Sequence, residues 1–452
     1  MALTPAKSGS SSGRPRLIQA CIDAFQQPDV REKLLFTFAM LVVYRFLAHV
    51  PLPNVNQPGL TSAFQNNALL GFINVFSGNT LRRLSVAALG VYPYITAQIV
   101  LQILIPIVPR LQALSKEGEQ GQKRIQLYAN YLTVPLAIVQ GYLQLEILAK
   151  ISTPAGPALR NFGLFSGSTF LPTIATLTSV VAGTLFLVWI GELITERGIG
   201  NGVSIIIFAG IVAGIPSLAG NNVFSAAGVA AIMLLAVIAF VMLFAIVIFN
   251  EATRRIPVQY SRSVFRGGRM YRQSGQTYIP LKVNSAGMIP LLFAFSGMLI
   301  PSFIAQYLAT SSNGTIRDIA NWLRVAFSPN GVVYQLLVFF LVVAFTFFYT
   351  LIIFQQQNLA ENLQKQGGFI PGIRPGRPTA EYINRVLFRI TWAGAIFLGV
   401  ISIIPFLATR LTGVQSLQIT ATGMLIVVGV VIDTMKQLEA QLLMRNYEGF
   451  IR

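Results

Sequence analysis

The stretch GELITERGIGNGVSIIIFAGIVAG, residues 191–214, decides how the rest of the chain is read. A long apolar run ends here in Glu192, Glu196 and Arg197. Three glycines within five residues then surround Asn201, and a second apolar run starts at Val203. Charges followed by clustered glycines between two apolar runs describe a tight turn between two membrane helices. What the second helix faces sets the function.

Composition agrees with a membrane reading. The chain has 452 residues, 54% hydrophobic and 11% charged, with a mean hydropathy of +0.64. That profile belongs to a polytopic membrane protein rather than a soluble domain. Cys21 and His49 are single, so an internal disulfide and a histidine metal cluster are excluded. The formal net charge is +18, which in a soluble protein would suggest nucleic acid. In a membrane protein it is tested first against the cytoplasmic excess of Lys and Arg.

A spanning helix needs about 20 mostly apolar residues. Ten runs qualify: 34–50, 84–108, 125–148, 171–194, 203–218, 227–249, 285–308, 332–354, 386–407 and 417–435. The fifth is short, and the tenth opens on polar residues. With both termini on one side, the two tails and the loops after spans two, four, six and eight hold 24 of the 33 basic residues. The opposite loops hold Arg82, Arg83, Lys150, Arg160, Arg317, Arg324 and Arg410, while Arg45 and Arg389 lie within spans. This asymmetry supports all ten spans, places both termini in the cytoplasm and accounts for much of the charge without nucleic acid.

Ahead of the first span, residues 1–16 are polar, and the apolar spacing of LIQACIDAF, residues 17–25, predicts a short helix on the membrane surface rather than a cleavable signal. Pro28 ends that helix, and Asp29 and Glu32 have the spacing of a capping box before span one.

Three stretches exceed membrane-protein background. In LLGFINVFSGNTLRRLS, residues 69–85, the apolar part is too short to span and reads as a re-entrant segment buried in protein or as an external interfacial turn. The loop 250–284 carries Arg254, Arg255, Arg262, Arg266, Arg269, Arg272 and Lys282 against Glu251, with a hairpin pattern around Gly267 and Gly268. It reads as a topology signal with anionic-lipid contact, or as a docking surface for an acidic partner or RNA phosphate. In residues 367–385, Pro371, Pro375 and Pro378 stiffen the chain around Arg374 and Arg377. That stretch is a connecting loop or a second docking element.

Catalysis finds no support. The sequence has no P-loop, no paired carboxylates, no Cys/His set and no nucleophile elbow, so no catalytic, metal or cofactor residue is assigned. Charge inside the spans is limited to Arg45, Glu146, Glu192, Arg389 and Asp433, most of it near ends where side chains reach the interface. An ion-coupled transporter of a small solute would ordinarily keep a midplane carboxylate and a polar pocket. A purely structural scaffold would conduct nothing in any mutant.

The strings TERGIGNGVSIIIFAGIVAG, GVYPYITAQIVLQIL, KEGEQGQKRIQLY, LKVNSAGMIP and FIPGIRPGRPT closely resemble the bacterial SecY family, the pore subunits of the Sec protein-conducting channel. The resemblance runs from about residue 31 to 448. It implies an all-α polytopic fold with ten transmembrane helices in two inverted five-helix halves, 31–218 and 219–436, between cytosolic tails 1–30 and 437–452. A short re-entrant plug helix, about 69–80, would carry Leu69, Leu70, Phe72, Ile73, Val75 and Phe76. A pore ring would comprise Val91, Ile95, Val203, Ile207, Leu292 and Ile426, with Val91, Val203 and Leu292 departing from the family's usual isoleucine. A lateral gate, between spans two and three and spans seven and eight, would use polar side chains such as Thr96, Gln98, Gln102 and Asn284. Arg254, Arg255 and Arg374, in cytosolic loops 250–284 and 357–385, match positions that dock the ribosome and a SecA-type motor ATPase, with ribosomal RNA in reach of the loops. The further partners implied are small SecE- and SecG-type membrane subunits, unfolded preproteins with their signal peptides, and lipid. The expected location is the bacterial plasma membrane, and the expected activity is non-enzymatic.

Overall fold

The computed structural model describes residues 27–66, 70, 74, 77–78, 80–151, 156–159, 162–163, 169–220, 228–266, 269–287, 289–309, 314–328, 331–357, 359–412 and 415–448. The expected surface helix at 17–25 and the turn at Gly267 and Gly268 lie outside the described residues.

A helix forms over each of the ten apolar runs. They are α1 (Pro28–Leu47), α3 (Tyr92–Leu104), α5 (Glu119–Lys150), α6 (Phe170–Arg197), α7 (Gly202–Gly220), α8 (Gly228–Glu251), α9 (Ile289–Leu308), α11 (Val332–Gln357), α13 (Arg377–Thr412) and α14 (Gln415–Glu448). Among the described residues, shorter helices join them at α2 (Gln57–Asn66), α4 (Pro109–Lys116), α10 (Gly314–Ala326) and α12 (Leu359–Lys365). Among the described residues, five helices are long and apolar enough to cross a membrane, or six when bent pairs count as one span.

The opening stretch folds as a turn held by its own polar atoms. Asn201 precedes α7 and its Oδ1 accepts the Ser204 amide at 3.1 Å, an N-cap bond. Thr195 Oγ1 accepts the Gly202 amide at 2.9 Å, and Thr37 Oγ1 of α1 accepts the Ile199 amide at 3.2 Å. Gly200 takes a left-handed φ of 84°, and a Cβ on Gly202 would run into the carbonyl oxygen of Gly191. Hence the glycines: α6 and α7 meet backbone to backbone. Glu192 on α6 is held by Asn130 of α5, whose Nδ2 donates to its Oε1 at 2.6 Å.

Several helix edges differ from the sequence expectation. Span two does not begin at Leu84: residues 84–91 are turns, Leu84 sits at φ 44°, and α3 starts at Tyr92 with a proline in its first turn. It also stops at Leu104, where the chain bends by 100° into α4, because Pro106 and Pro109 cannot continue the hydrogen-bond ladder. The capping box at Asp29 is absent; Pro28 occupies the first helical turn, and Gln27 caps without a side-chain bond. Arg377 and Pro378 open α13 rather than lying in a loop, and α14 continues as helix through residues 437–448.

Helices α1, α3, α5, α6 and α7 pack as one set, and α8, α9, α11, α13 and α14 as another. The sets meet where α7 packs on α14 and where α3 and α5 pack on α9. Lys436 of α14 bonds both Glu251 at 2.8 Å and the Asn250 carbonyl at 3.1 Å, fixing α14 to the end of α8. One buried apolar cluster runs through both sets. Without a hydrophobic drive between helices in lipid, such contacts hold through close packing and local hydrogen bonds.

The all-α expectation needs one amendment. Strands β1 (Thr253–Arg266) and β2 (Arg269–Lys282) form an antiparallel hairpin, and β3 (Gly368–Phe369) pairs with β1 through Gln259 and Tyr260. The sheet order is β2-β1-β3. Beneath it a separate core gathers Ile256, Val258, Leu281, Leu363, Ile370 and Ile383. The two basic loops are therefore one folded unit.

Candidate functional site

Four elements bring the ring residues into the main apolar cluster. Ile95 comes from α3, Ile207 from α7, Leu292 from α9 and Ile426 from α14, and all four are buried. Val203, one turn before Ile207, packs against the same cluster and is partly exposed. Val91 is buried too, yet it lies just outside α3, as its N-cap. Its carbonyl accepts the Ile95 amide at 3.2 Å, so the four-residue relation survives through the cap rather than along a helix face. Six branched aliphatic side chains offer no hydrogen bond to water, and a constriction lined by them excludes ions by dewetting.

Part of this cluster is a buried segment that is helical at Leu70 and Asn74 and irregular between Ser77 and Val91. Of the expected plug residues only Leu70 is described, and it is fully buried; Leu69, Phe72, Ile73, Val75 and Phe76 lie outside the described residues. The chain that follows is held by short polar bonds. Thr80 Oγ1 lies 2.7 Å from the Ser77 carbonyl and 2.6 Å from the Ala87 carbonyl, and Asn74 Oδ1 accepts the Arg82 amide at 2.9 Å. Tyr44 of α1 donates to the Gly78 carbonyl at 3.2 Å. Gly78 has φ 71°, and a Cβ on Gly210 of α7 would collide with its Cα. Irregular backbone at this depth persists because protein, not lipid, surrounds it. Tyr44, Gly78 and Gly210 were missed by the sequence reading. A glycine seven residues after Val203 was the only visible signal.

Across the seam between α3 and α9, Tyr92 Oη donates to the Ser296 carbonyl at 3.2 Å. The four residues expected there behave differently from one another. Thr96 accepts from Gln140 of α5 at 3.3 Å, and Gln98 bonds Tyr94 on its own helix at 2.7 Å. Gln102 lines a cavity of about 240 Å³ between α3, α5 and α11, opposite Tyr349. Asn284 is buried before α9, and its Oδ1 accepts no bond from the described residues. Thr96 and Gln98 thus bond on their own side of the expected gate, while Gln102 reaches the Tyr349 hydroxyl of α11 across it. The GVYPY motif carried Tyr92, and a phenol at a helix start was the available signal.

Arg254, Arg255 and Arg374 are exposed. Strand alternation puts Arg254 and Arg255 on opposite faces of β1, with Arg254 on the face that buries Ile256 and Val258. Arg374 lies between β3 and α13, where its carbonyl accepts from Thr379 Oγ1 at 2.8 Å. Sequence distance hid the fact that all three belong to one sheet and its flank. Among the described residues, no group of three or more His, Cys, Asp or Glu is placed to share a metal ion.

Known proteins share this fold. The family model described as SecY matches residues 85–435. The protein translocase subunit SecY of Streptomyces lividans is 43% identical over 454 aligned residues, covering 96% of this chain and all of its own length. A solved SecY structure, whose plug domain is described as stabilising the closed state of the translocation channel and maintaining a membrane seal, matches with TM-score 0.60 at 17% identity, over 91% of this chain and 92% of that one. Canine Sec61 in its ribosome–channel complex from the endoplasmic reticulum matches with TM-score 0.56 at 16% identity, over 91% and 92%.

Proposed function

This chain belongs to the SecY family, and from that membership we propose that it is the channel-forming subunit of a protein translocase. It is a multi-pass membrane protein that passes unfolded preproteins across the bilayer and releases apolar segments sideways into lipid. The observation that carries the reading is the gathering of Ile95, Ile207, Leu292 and Ile426, from four helices, into one buried apolar cluster beside the irregular segment that ends at α3.

The mechanism follows from those residues. At rest the aliphatic ring excludes water, and the segment about 69–80 fills the external funnel. An unfolded chain of any sequence pushes the ring apart, because dispersion contacts are undirected and impose no partner chemistry. The two helix sets, proposed as inverted five-helix halves with ten spans in all, part at the α3–α9 seam. The Tyr92–Ser296 bond is the gate latch; hydrogen bonds in membranes average about 0.6 kcal/mol, which suits a seam that must open. Arg254, Arg255 and Arg374 dock the ribosome and a SecA-type motor ATPase, which supply the energy. Small SecE- and SecG-type subunits complete the channel, and both termini face the cytoplasm of a bacterium.

A secondary transporter is disfavoured because the residues at the centre are branched aliphatics, with no midplane carboxylate among them. The test is reconstitution of the full chain with its membrane subunits, a motor ATPase and a signal-bearing preprotein. ATP-dependent protection of the preprotein inside vesicles is expected. No protection, together with uptake of a small solute, would return the transporter reading.

A further inference from the structure

Helix α10 stands where the sequence offered only an external loop, and half of its surface faces nothing in the protein. Ala320 is fully buried, and α10 packs along α9. Just past its end, Phe327 packs against the main core, and its carbonyl accepts from Ser302 of α9 at 3.3 Å. One side of the helix is thereby fixed.

On the other side, Ile319 is 57% exposed, Trp322 71% and Val325 70%. Spacing of three places them in a single stripe. Arg317 and Arg324, both exposed, stand seven apart and share a neighbouring stripe with Asn321 between them. Asp318, also exposed, closes the apolar stripe at its N-terminal end, one turn before Trp322.

The neighbouring helices show what covers this stripe. At the adjoining end of α11, Val332, Val333 and Leu336 are exposed, and toward the end of α9 so is Ile304. Those are outward apolar faces of helices long and apolar enough to span, so lipid is their environment. The stripe on α10 continues that belt at one end of the bundle. Its mixture of an indole, two branched aliphatics and flanking guanidinium groups matches the boundary between headgroups and acyl chains.

We propose that α10 is an interfacial helix, with Ile319, Trp322 and Val325 sunk at the headgroup–acyl boundary and Arg317 and Arg324 held at the lipid phosphates. Asp318 keeps the N-terminal turn shallower, so the helix tilts with Val325 deepest. Because α10 links α9 to α11, it fixes the depth of the two helices on one side of the proposed gate. Only the choice of leaflet rests on the proposed topology.

The test uses the full-length chain in a Cys21→Ser background, carrying one spin-labelled cysteine at 318, 321, 322, 324 or 325. It is reconstituted in nanodiscs of phosphatidylethanolamine and phosphatidylglycerol. Labels at 322 and 325 should collide more with oxygen than with a water-soluble nickel chelate, several-fold beyond labels at 321 and 324, and depth should increase from 318 to 325. A second variant, Trp189→Phe with Trp392→Phe, leaves Trp322 as the only tryptophan; brominated lipids should quench most of its fluorescence. Equal chelate access at all five sites would mean a solvated helix and overturn the proposal. Shielding of 322 and 325 from both colliders, without lipid quenching, would mean a protein partner and overturn it equally. Chelate confined to one face of sealed vesicles reads the leaflet separately, so an error of topology is distinguishable from an error of depth.

Discussion

Tyr92 and Gly210 are the single residues at which the proposed resting state is most open to test. Removing the Tyr92 hydroxyl in Tyr92→Phe keeps the ring packed near Phe303 and deletes the bond to Ser296 across the seam. A loss of about 0.6 kcal/mol shifts a closed–open equilibrium about threefold. Tyr92→Phe should therefore raise translocation of a preprotein with a weakened signal, read as protected substrate per minute, while strong signals gain little. Unchanged discrimination would remove Tyr92 from the gate. Gly210→Ala works through space instead: the added methyl meets Gly78 Cα and the Tyr44 hydroxyl. Overpacking of that kind costs about 1–3 kcal/mol. It should lower the thermal unfolding midpoint of the purified protein and raise its ion leak in planar bilayers. Such sites were illegible beforehand because a glycine in an apolar run looks the same whether it faces lipid or another backbone. The turn at Gly200 and Asn201 was legible, since only a few residue types tolerate a left-handed φ or cap a helix.

Among elements, apolar runs located the helices well because length and hydropathy are read directly, whereas starts and stops depended on capping and proline placement. The delayed start of α3 at Tyr92 is one case, and the early start of α13 at Arg377 is another. Helix α10 went unread because its charges suggested a loop, although its apolar residues recur with helical period. The cytosolic sheet was half legible: alternation announced the β1–β2 hairpin, but pairing with β3 joins residues over a hundred positions apart. That pairing carries a consequence for docking. Val258 is fully buried in the core under the sheet. Val258→Asn would leave a polar group there without a partner, at about 1–3 kcal/mol. It should weaken binding of the motor ATPase about as much as Arg255→Glu or Arg374→Glu, which act by like-charge repulsion at a basic surface. All three variants should insert and fold in the membrane, as judged by protease protection and gel filtration. Arg374→Glu with full partner affinity and full transport would reduce the stretch before α13 to a connector.

For the whole molecule, the two helix sets meet along α7–α14 and along α3 and α5 against α9, and the proposed convergence of the ring draws on α3, α7, α9 and α14, all of which take part in that junction. A pore at that convergence predicts a graded response to chemistry. Ile95→Ser together with Ile207→Ser should wet the constriction and raise resting conductance, while Ile95→Leu or Ile426→Leu should change little, since volume-conserving aliphatic swaps usually cost less than about 1.5 kcal/mol. Convergence of distant residues is a property of the folded bundle, and Val91, Leu292 and Ile426 singly look like any core or lipid-facing aliphatic. It is the resemblance to a channel family that groups them. The most direct measurement is a disulfide crosslink. In a Cys21→Ser background, a cysteine is placed at Ile95, Ile426 or lipid-facing Phe240, and a cysteine-bearing preprotein is stalled in transit by a folded domain at its end. The account predicts crosslinks at 95 and 426 and none at 240; crosslinks at 240 with none at any ring position would contradict it.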